Sequence, residues 1–334
     1  MVTIEELDIE GWKDALPTSG YEPFHDGDAL AVINDHTDAE LRLFGAFKGG
    51  QTVGLLPIFV TDRVVGRTVF SPPPSMGVPQ LGPIITPLSP KRRKHERIND
   101  ALTDHVVETL QLDRRTTIFR MVCPAGYDPR PYEWNGFDLQ TRFTYTVDLE
   151  DTDLETIMGQ FSKSLRNEMR RYGTLDLSIE REGLDSALRI YDDLVDQYAE
   201  YDAPVPMSEE FLTDLLTTLA DDRWRVYVAR TPDGEYQSGI IVLLSPDRAY
   251  YWQGGVAASY ENVSVNTILQ RVILEDLLTD PTLDSVTQYD LVGANTKRLC
   301  DYKGKFNSKL EPYYAVESSS AAMAFAKSTY KKFG

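Results

Sequence analysis

"WRVYVARTPDGEYQSGIIVLL", residues 224–244, alternates apolar and polar positions on either side of Pro232-Asp233-Gly234, the pattern of two strands joined by a turn. Residues 41–60, "LRLFGAFKGGQTVGLLPIFV", do the same around Gly49-Gly50. Laid together, Arg42, Phe44, Ala46 and Gly54 fall on Arg225, Tyr227, Ala229 and Gly239, with a turn two residues longer in the second copy. One structural unit is used twice.

The elements after each hairpin repeat as well. In the first half come the short strand "RTVF" (67–70), a helix over about 90–112 and the strand "TTIFRMV" (116–122). In the second come "RAYYWQ" (248–253), a helix over about 262–278 and "SVTQYDLV" (285–292). Antiparallel strands first and a helix-linked strand afterwards predict an α/β (α+β) fold of two tandem domains, each a mixed, mostly antiparallel sheet flanked by helices. The seam is placed near residue 150, giving domains 1–150 and 151–334. There the strand-like "RFTYTVDL" gives way to "EDTDLETIMGQFSKSLRNEMRRYG" (150–173), read as one helix with a Thr152-x-x-Glu155 capping box and a stop at Gly173. Leu154, Ile157, Met158, Phe161, Leu165 and Met169 form its apolar stripe. Lys163, Arg166 and Arg170 lie opposite, as a cationic ridge or an ordinary solvated face.

The chain has 334 residues with 52 Asp plus Glu against 34 Lys plus Arg, a formal charge of −18. Only 12 of those cations are lysine, and 7 of the 12 stand at or beyond Lys297. Such an acidic, lysine-poor surface resembles the proteins of salt-loving microbes, in which net charge maintains solubility when salt screens each charge, or that of an ordinary acidic cytosolic protein. It argues against a duplex-DNA binder, which spreads basic charge over one face. Two cysteines and four histidines show no ligand spacing, so no metal is expected. The sequence carries no run of about 20 apolar residues and no secretory leader pattern, and a cytoplasmic location is expected. P-loop, nucleophile-elbow and dinucleotide fingerprints are missing too.

Against that background residues 289–314, "YDLVGANTKRLCDYKGKFNSKLEPYY", hold five basic residues and three acidic ones. Leu299, Tyr302 and Phe306 share a helical face expected to be buried, Lys297, Arg298 and Lys305 point elsewhere, and Lys303 stands at the border. A lysine there lays its stem over the core and holds its ammonium at a cleft mouth, or simply reaches solvent. "KRRKHER" (91–97) puts basic charge at a helix start, where it opposes the helix dipole, and reads as a solvated helix face first or as a seat for a phosphate or carboxylate partner. "SPPPSMGVPQLGPIITP" (71–87), with six prolines and two glycines, reads as a stiff loop, either a site wall or a connector. The tail from 318 reads as a docking basic helix or a free end.

The order "FSKSLRNEMRRYG", a helix, "APVPMSEEFLTDLL", the second hairpin, "YYWQGGVAASYENVSVNTILQRVIL" and "YDLVGANTKRLCDYKGKF" resembles the FemAB-like branch of the GNAT acyltransferase superfamily, in which two GNAT-like domains stand in tandem. The likeness covers most of 150–316 and, more loosely, 40–125. Its most specific part is an aspartate-bearing strand, a glycine and a short helix ending in aromatic-Lys-x-x-Phe, here Asp290, Gly293, Tyr302, Lys303 and Phe306.

The resemblance implies transfer of an acyl group to an amine. Better-known members take an aminoacyl group from tRNA and other branches use acyl-CoA. Both donors carry phosphates, and both reactions pass through an oxyanion. It implies a strand wedge at Tyr251, Gln253 and Gly254 for the donor carbonyl, with Lys303 stabilising negative charge and Asp290 as base or as the cap of the next turn. Lys305, Phe306, Arg166 and Arg170 are the further candidates for the donor. One departure is clear: the Gln/Arg-x-x-Gly-x-Gly/Ala pyrophosphate loop typical of GNAT enzymes is replaced after "YYWQGGV" by "AASYENVSVN". The expected activity is N-acyl transfer from a phosphate-bearing donor, acyl-CoA first, to a small-molecule or peptide amine. Aminoacyl transfer from tRNA, or a non-catalytic binding protein on this fold, are the alternatives.

Overall fold

The computed structural model describes residues 1–64 and 66–319, so the tail lies almost wholly outside the described residues. The chain forms two compact units, Met1–Arg142 with the chain from Pro312 on, and Phe143–Glu311.

The first unit runs β1 (Thr3–Leu7), α1 (Ile9–Ala15), α2 (Gly27–Asp35), β2 (Glu40–Lys48), β3 (Gln51–Asp62), β4 (Arg67–Ser71), β5 (Ile84–Ile85), α3 (Arg92–Leu110), β6 (Thr117–Val122) and α4 (Arg130–Trp134), and ends inside β7 (Asp138–Asp148). Gly49 and Gly50, with φ of 61° and 80°, make the primed turn that the right-handed twist of a β2–β3 hairpin needs. Its strand order is β1-β2-β3-β4-β6. Every neighbour is antiparallel except β4–β6, which is parallel and joined by α3. The apolar face of α3, with Ile98, Leu102 and Val106, packs on Phe44, Ile58 and Phe119.

The second unit continues from β7 with α5 (Leu154–Gln160), α6 (Lys163–Arg170), β8 (Ser178–Glu182), α7 (Leu184–Glu200), α8 (Glu209–Thr218), β9 (Trp224–Arg230), β10 (Tyr236–Leu244), β11 (Arg248–Gly254), the short hairpin β12 (Ser259–Tyr260) and β13 (Val263–Ser264), α9 (Val265–Thr279), β14 (Gln288–Asp290) and α10 (Lys297–Lys303), and enters β15 (Lys309–Glu317). Its order is β7-β14-β11-β10-β9-β8, again with one parallel pair, β11–β14, bridged by a helix, α9. The repeat seen in the sequence is thus a repeat of topology: hairpin, third strand, helix, parallel strand.

Three features depart from the sequence reading. The chain passes between units at Arg142–Phe143, inside β7, and from Pro312 it returns to the first unit, where Ala315 pairs with Val122. Strand pairing, which composition does not show, sets that division. The single helix over 150–173 is two helices, because Phe161 is extended (ψ 160°) and the Ser162 hydroxyl accepts from the Leu165 amide to start α6 afresh. The cap of α5 is Asp153, which accepts from Thr156 N at 2.7 Å, in place of Thr152. Last, Leu299 is 37% exposed while Lys303 is 6% exposed. Both lie inside α10, so it is the position of Lys303 against Val292 and Gly293 that buries it, and the 3-10 turn over Gly304–Phe306 then breaks the 3.6-residue period on which Phe306 aligns with Leu299.

Candidate active site

The parallel register of β11 and β14 runs Arg248↔Gln288, Ala249↔Tyr289, Tyr250↔Asp290 and stops, whereas β11 continues to Gly254. Beyond Asp290 the chain turns to the other neighbour: Leu291 N donates to Tyr145 O at 2.8 Å and Ala294 N to Phe143 O at 2.8 Å. A gap therefore opens between the end of β11 and residues 291–294. On the β11 side the register against β10 slips by one at Trp252, a bulge that re-aims the strand end. Tyr251, Gln253, Gly254, Val292 and Gly293, which border the gap, are all partly exposed.

Lys303 lies across this gap. Its Nζ donates to Val292 O and, at 3.2 Å, to Gly293 O on one border, and stands 5.6 Å from the Tyr251 ring centroid on the other. Its hydrogen-bond partners are carbonyls, so its charge is not neutralised by contact. Burial pushes its pKa down to about 8, opposed by the negative field of Asp290. The ammonium expected at a cleft mouth is instead held inside, with two of its three N–H groups spent on the protein.

Asp290 shapes the turn that Lys303 grips. Its Oδ1 accepts from the Thr144 hydroxyl at 2.5 Å and from Val292 N at 2.7 Å, and Gly293 N donates to Thr144 Oγ1 at 3.2 Å. Arg248 approaches Oδ2 at 3.8 Å. At 1% exposure its pKa is raised, chiefly by burial, despite the hydroxyl, the guanidinium and the amide that favour its charge. Of the two roles foreseen for Asp290, the geometry displays the cap. The turn holds Val292 at φ +50°, a conformation a β-branched residue rarely adopts, at a cost of about 1–3 kcal/mol. Strain of that kind persists where surrounding contacts impose it, and here Asp290, Thr144 and Lys303 do.

Tyr251 is held by a residue that the sequence did not single out. Tyr302 Oη donates to Asn266 Oδ1 at 2.6 Å, and Asn266 Nδ2 donates to Tyr251 Oη at 2.9 Å. Asn266 sits in the first turn of α9, and nothing in "ENVSVNT" marks it. A side chain at Gly254 would collide with the Tyr251 hydroxyl, so the glycine lets that ring fold back over the strand end. The next turn is fixed by Asp193, 4% exposed, which accepts from Val256 N at 2.8 Å and Tyr236 Oη at 2.8 Å and pairs with Arg189 at 2.8 Å.

The remaining candidates divide. Gln253 stands on the gap's border, paired with Ile241. Phe306 is 2% exposed and packs edge-on against Phe161 and Tyr302, a core residue that holds the 3-10 turn after α10 against the junction of α5 and α6. Lys305 is exposed and its carbonyl accepts from Ser162 N at 2.8 Å, which brings it beside the start of α6. Arg166 donates to Gly159 O at 2.8 Å and the exposed Arg170 faces Glu155 at 3.6 Å. Lys163 and Lys305 therefore form the more open part of one cationic edge.

The loop after β11 does not form a pyrophosphate cradle. The β12–β13 hairpin occupies it, Ser264 Oγ accepts from Thr267 N at 3.4 Å, and Val265 N donates to Ala258 O at 3.0 Å, so the first amides of α9 are engaged within the protein. The hairpin tip is tied down by Arg171, which donates to Glu261 O at 3.0 Å.

In the first unit the corresponding gap is closed. The β4–β6 register ends at Ser71↔Met121, and residues 80–82 of the proline-rich loop fill the space beyond. Leu81 N donates to Val122 O at 2.9 Å, Gly82 N to Ser71 Oγ at 3.0 Å and Ala125 N to Gln80 Oε1 at 3.1 Å. The fit is tight, since a Cβ at Gly82 would sit 3.0 Å from Cys123 Cα. His25, fully buried, donates from Nε2 to Gly82 O at 3.0 Å and fastens the plug. The "KRRKHER" cations are partly used on the protein: Arg92 pairs with Asp128 at 3.0 Å and with Glu96 at 3.3 Å.

Residues 159–304 match the family described as Acetyltransferase (GNAT) domain. No curated protein matches the chain in sequence. Among solved structures, FemX is similar with a TM-score of 0.64 at 10% identity, covering 85% of this chain and 90% of that one. The C-terminal domain of a putative lysylphosphatidylglycerol synthetase from Agrobacterium fabrum gives 0.57 at 15% identity, covering 95% and 94%. A tandem GNAT protein from the clavulanic acid biosynthesis pathway gives 0.52 at 12% identity, covering 95% and 98%. At these identities the structures speak for the fold alone, two GNAT-like units in tandem. Among the described residues, no helix is long and apolar enough to cross a membrane.

Proposed function

We propose that the gap beside β11 is where an activated acyl donor places its carbonyl for transfer to an amine, a reading supported by the match of residues 159–304 to a GNAT acetyltransferase domain and by the likeness of the fold to FemX. The observation that carries this reading is Lys303, held across an open strand gap in the second unit while the matching gap in the first is plugged. The donor proposed first is acyl-CoA and the acceptor a small-molecule or peptide amine. The reaction runs in the cytoplasm of a salt-adapted cell, consistent with the charge of −18.

In this mechanism the amine attacks the carbonyl carbon, the C–N bond forms, and charge gathers on the carbonyl oxygen. Lys303, as the cation, has one N–H left after Val292 O and Gly293 O are served, and donates it to that oxyanion. Its low-polarity surroundings strengthen that bond. When the C–S or C–O bond breaks, the leaving atom takes up a proton, and the acceptor nitrogen gives up one to water as it becomes the amide, which restores the proton balance. Tyr251 is placed to give one, because its oxygen already accepts from Asn266 and its own proton remains to be donated. Asp290 acts by holding the turn. The donor's phosphates are met by Lys305, Lys163, Arg166 and Arg170, since the loop before α9 has no cradle for them.

That last feature favours a second reading, aminoacyl transfer from tRNA, whose ester end carries no nucleotide pyrophosphate. Calorimetric titration of the wild type and Lys303→Ala with CoA, acetyl-CoA and longer acyl-CoAs in concentrated KCl tests the first. Saturable binding that weakens at least about tenfold in the variant is expected. Absence of binding to every CoA species refutes the acyl-CoA donor and makes aminoacylated tRNA the next titrant.

A further inference from the structure

We propose that Lys303 is itself an acyl acceptor: with a donor carbonyl in the β11–β14 gap, Nζ takes the acyl group and becomes an acyl-lysine, a self-modification site inside the donor pocket. This rests on the reading of that gap as the donor site. Nζ makes one bond to Cε and donates two hydrogen bonds, to Val292 O and Gly293 O. Its fourth tetrahedral position points away from both carbonyls. In the cation it carries the proton offered to the oxyanion, and in the neutral amine it carries the lone pair. The same atom in the same place is thus an oxyanion donor or a nucleophile according to one proton. No carboxylate is bonded to it, and burial disfavours the charged form, so the neutral amine is well populated at mildly alkaline pH. Lys305, two residues on, is exposed.

The step balances without any further reagent. The Nζ lone pair attacks the thioester carbon, an N–C bond forms, the C–S bond breaks, the electron pair leaves with sulfur, and the ammonium proton passes to the thiolate to give free thiol. The product amide has a single N–H. It serves one of the two carbonyls at Val292 and Gly293 and abandons the other, and it removes the positive charge whose field reaches Asp290. Acylation therefore loosens the strained turn on one border of the gap and blocks the gap with the acyl group. A donor that finds no acceptor amine silences the site that binds it.

The test is mass spectrometry of the full chain after incubation at pH about 8 with acetyl-CoA and, separately, with acetyl phosphate, with Lys303→Arg as the assignment control. Acetylation of Lys303 at least about tenfold above Lys297, Lys305 and Lys309 is the expected result with acetyl-CoA. The same preference with acetyl phosphate alone upholds Lys303 as the acceptor while removing CoA as its donor. Acetyl-CoA that binds saturably yet leaves Lys303 no more acetylated than the exposed lysines overturns the inference and leaves the donor reading standing. Indifference of Lys303 to both reagents overturns it outright.

Discussion

Replacing Lys303 by methionine changes how stability depends on pH, by an amount fixed by the burial of one ammonium. In the folded protein the pKa of Lys303 falls from the ordinary 10.5 to about 8. Between those two values the unfolded chain binds the proton and the folded one does not, so wild-type stability rises with pH through that window. Below about pH 8 the full penalty of charging the buried amine is present, about 3 kcal/mol for such a shift. By about pH 9.5 it has shrunk to roughly 1.4 kcal/mol, so the wild type should gain about 2 kcal/mol relative to Lys303→Met between pH 7 and pH 9.5. Met fills nearly the same volume and has nothing to titrate. The two lost hydrogen bonds shift the variant by a pH-independent amount, and groups common to both proteins cancel in the difference. Urea unfolding of both proteins at the two pH values, at one KCl concentration, reads that difference directly. Parallel pH curves for the two proteins refute the reasoning, because they place the folded-state proton of Lys303 at its solution affinity and leave neither a polarised oxyanion donor nor a nucleophile.

Gly255→Ala places a methyl group 2.6 Å from Asp193 Oδ2 and 2.7 Å from Tyr236 Oη, against a backbone amide, Gly239 N, at 3.2 Å. It is expected to cost about 1–3 kcal/mol by urea unfolding and to weaken donor titrations, since the displaced turn comes directly after the end of β11; an unchanged midpoint with unchanged binding refutes the role given to Asp193. Raising KCl from about 0.1 M to about 1 M, which shortens the screening length from about 10 Å to about 3 Å, should raise the urea midpoint of a chain with 18 uncompensated negative charges. A midpoint that falls refutes the salt-adapted reading of the composition.

The doubled hairpin was legible because it depends on local rules. Strand alternation and Gly49-Gly50 or Pro232-Asp233-Gly234 turns are written within twenty residues, and the helix that comes after each is bounded by its own periodicity. The return of residues 312–317 to pair with β6 was not legible, since register with a strand nearly two hundred positions earlier leaves no mark on either segment. At the site, Lys303 and Tyr251 stood out only through the family-like spacing around them. Asn266 and Thr144 were invisible because each works through a hydrogen bond to a residue distant in sequence, and an asparagine in a first helical turn or a threonine in a strand is unremarkable alone. Phe306 shows the reverse: the residue flagged for the donor is buried, its ring packed on Phe161 from the 3-10 turn after α10.

The two units fill the same break in a duplicated blueprint in different ways. Both end their parallel strand pair early, at Ser71↔Met121 and at Tyr250↔Asp290, so both create the same unsatisfied place in a sheet. Buried backbone groups there must find partners. In the first unit they find them in the chain itself, through Leu81, Gly82 and the Gln80 side chain, and the loop's prolines and buried His25 keep that filler in place. In the second unit the β11–α9 connection folds onto itself as the β12–β13 hairpin and leaves the gap to one lysine side chain. A side chain can be displaced or recharged where a fastened backbone segment cannot. The property that makes Lys303 costly to the fold, an ammonium buried against two carbonyls, is then the same property that, in the proposed function, would turn the gap toward a carbonyl brought by a substrate.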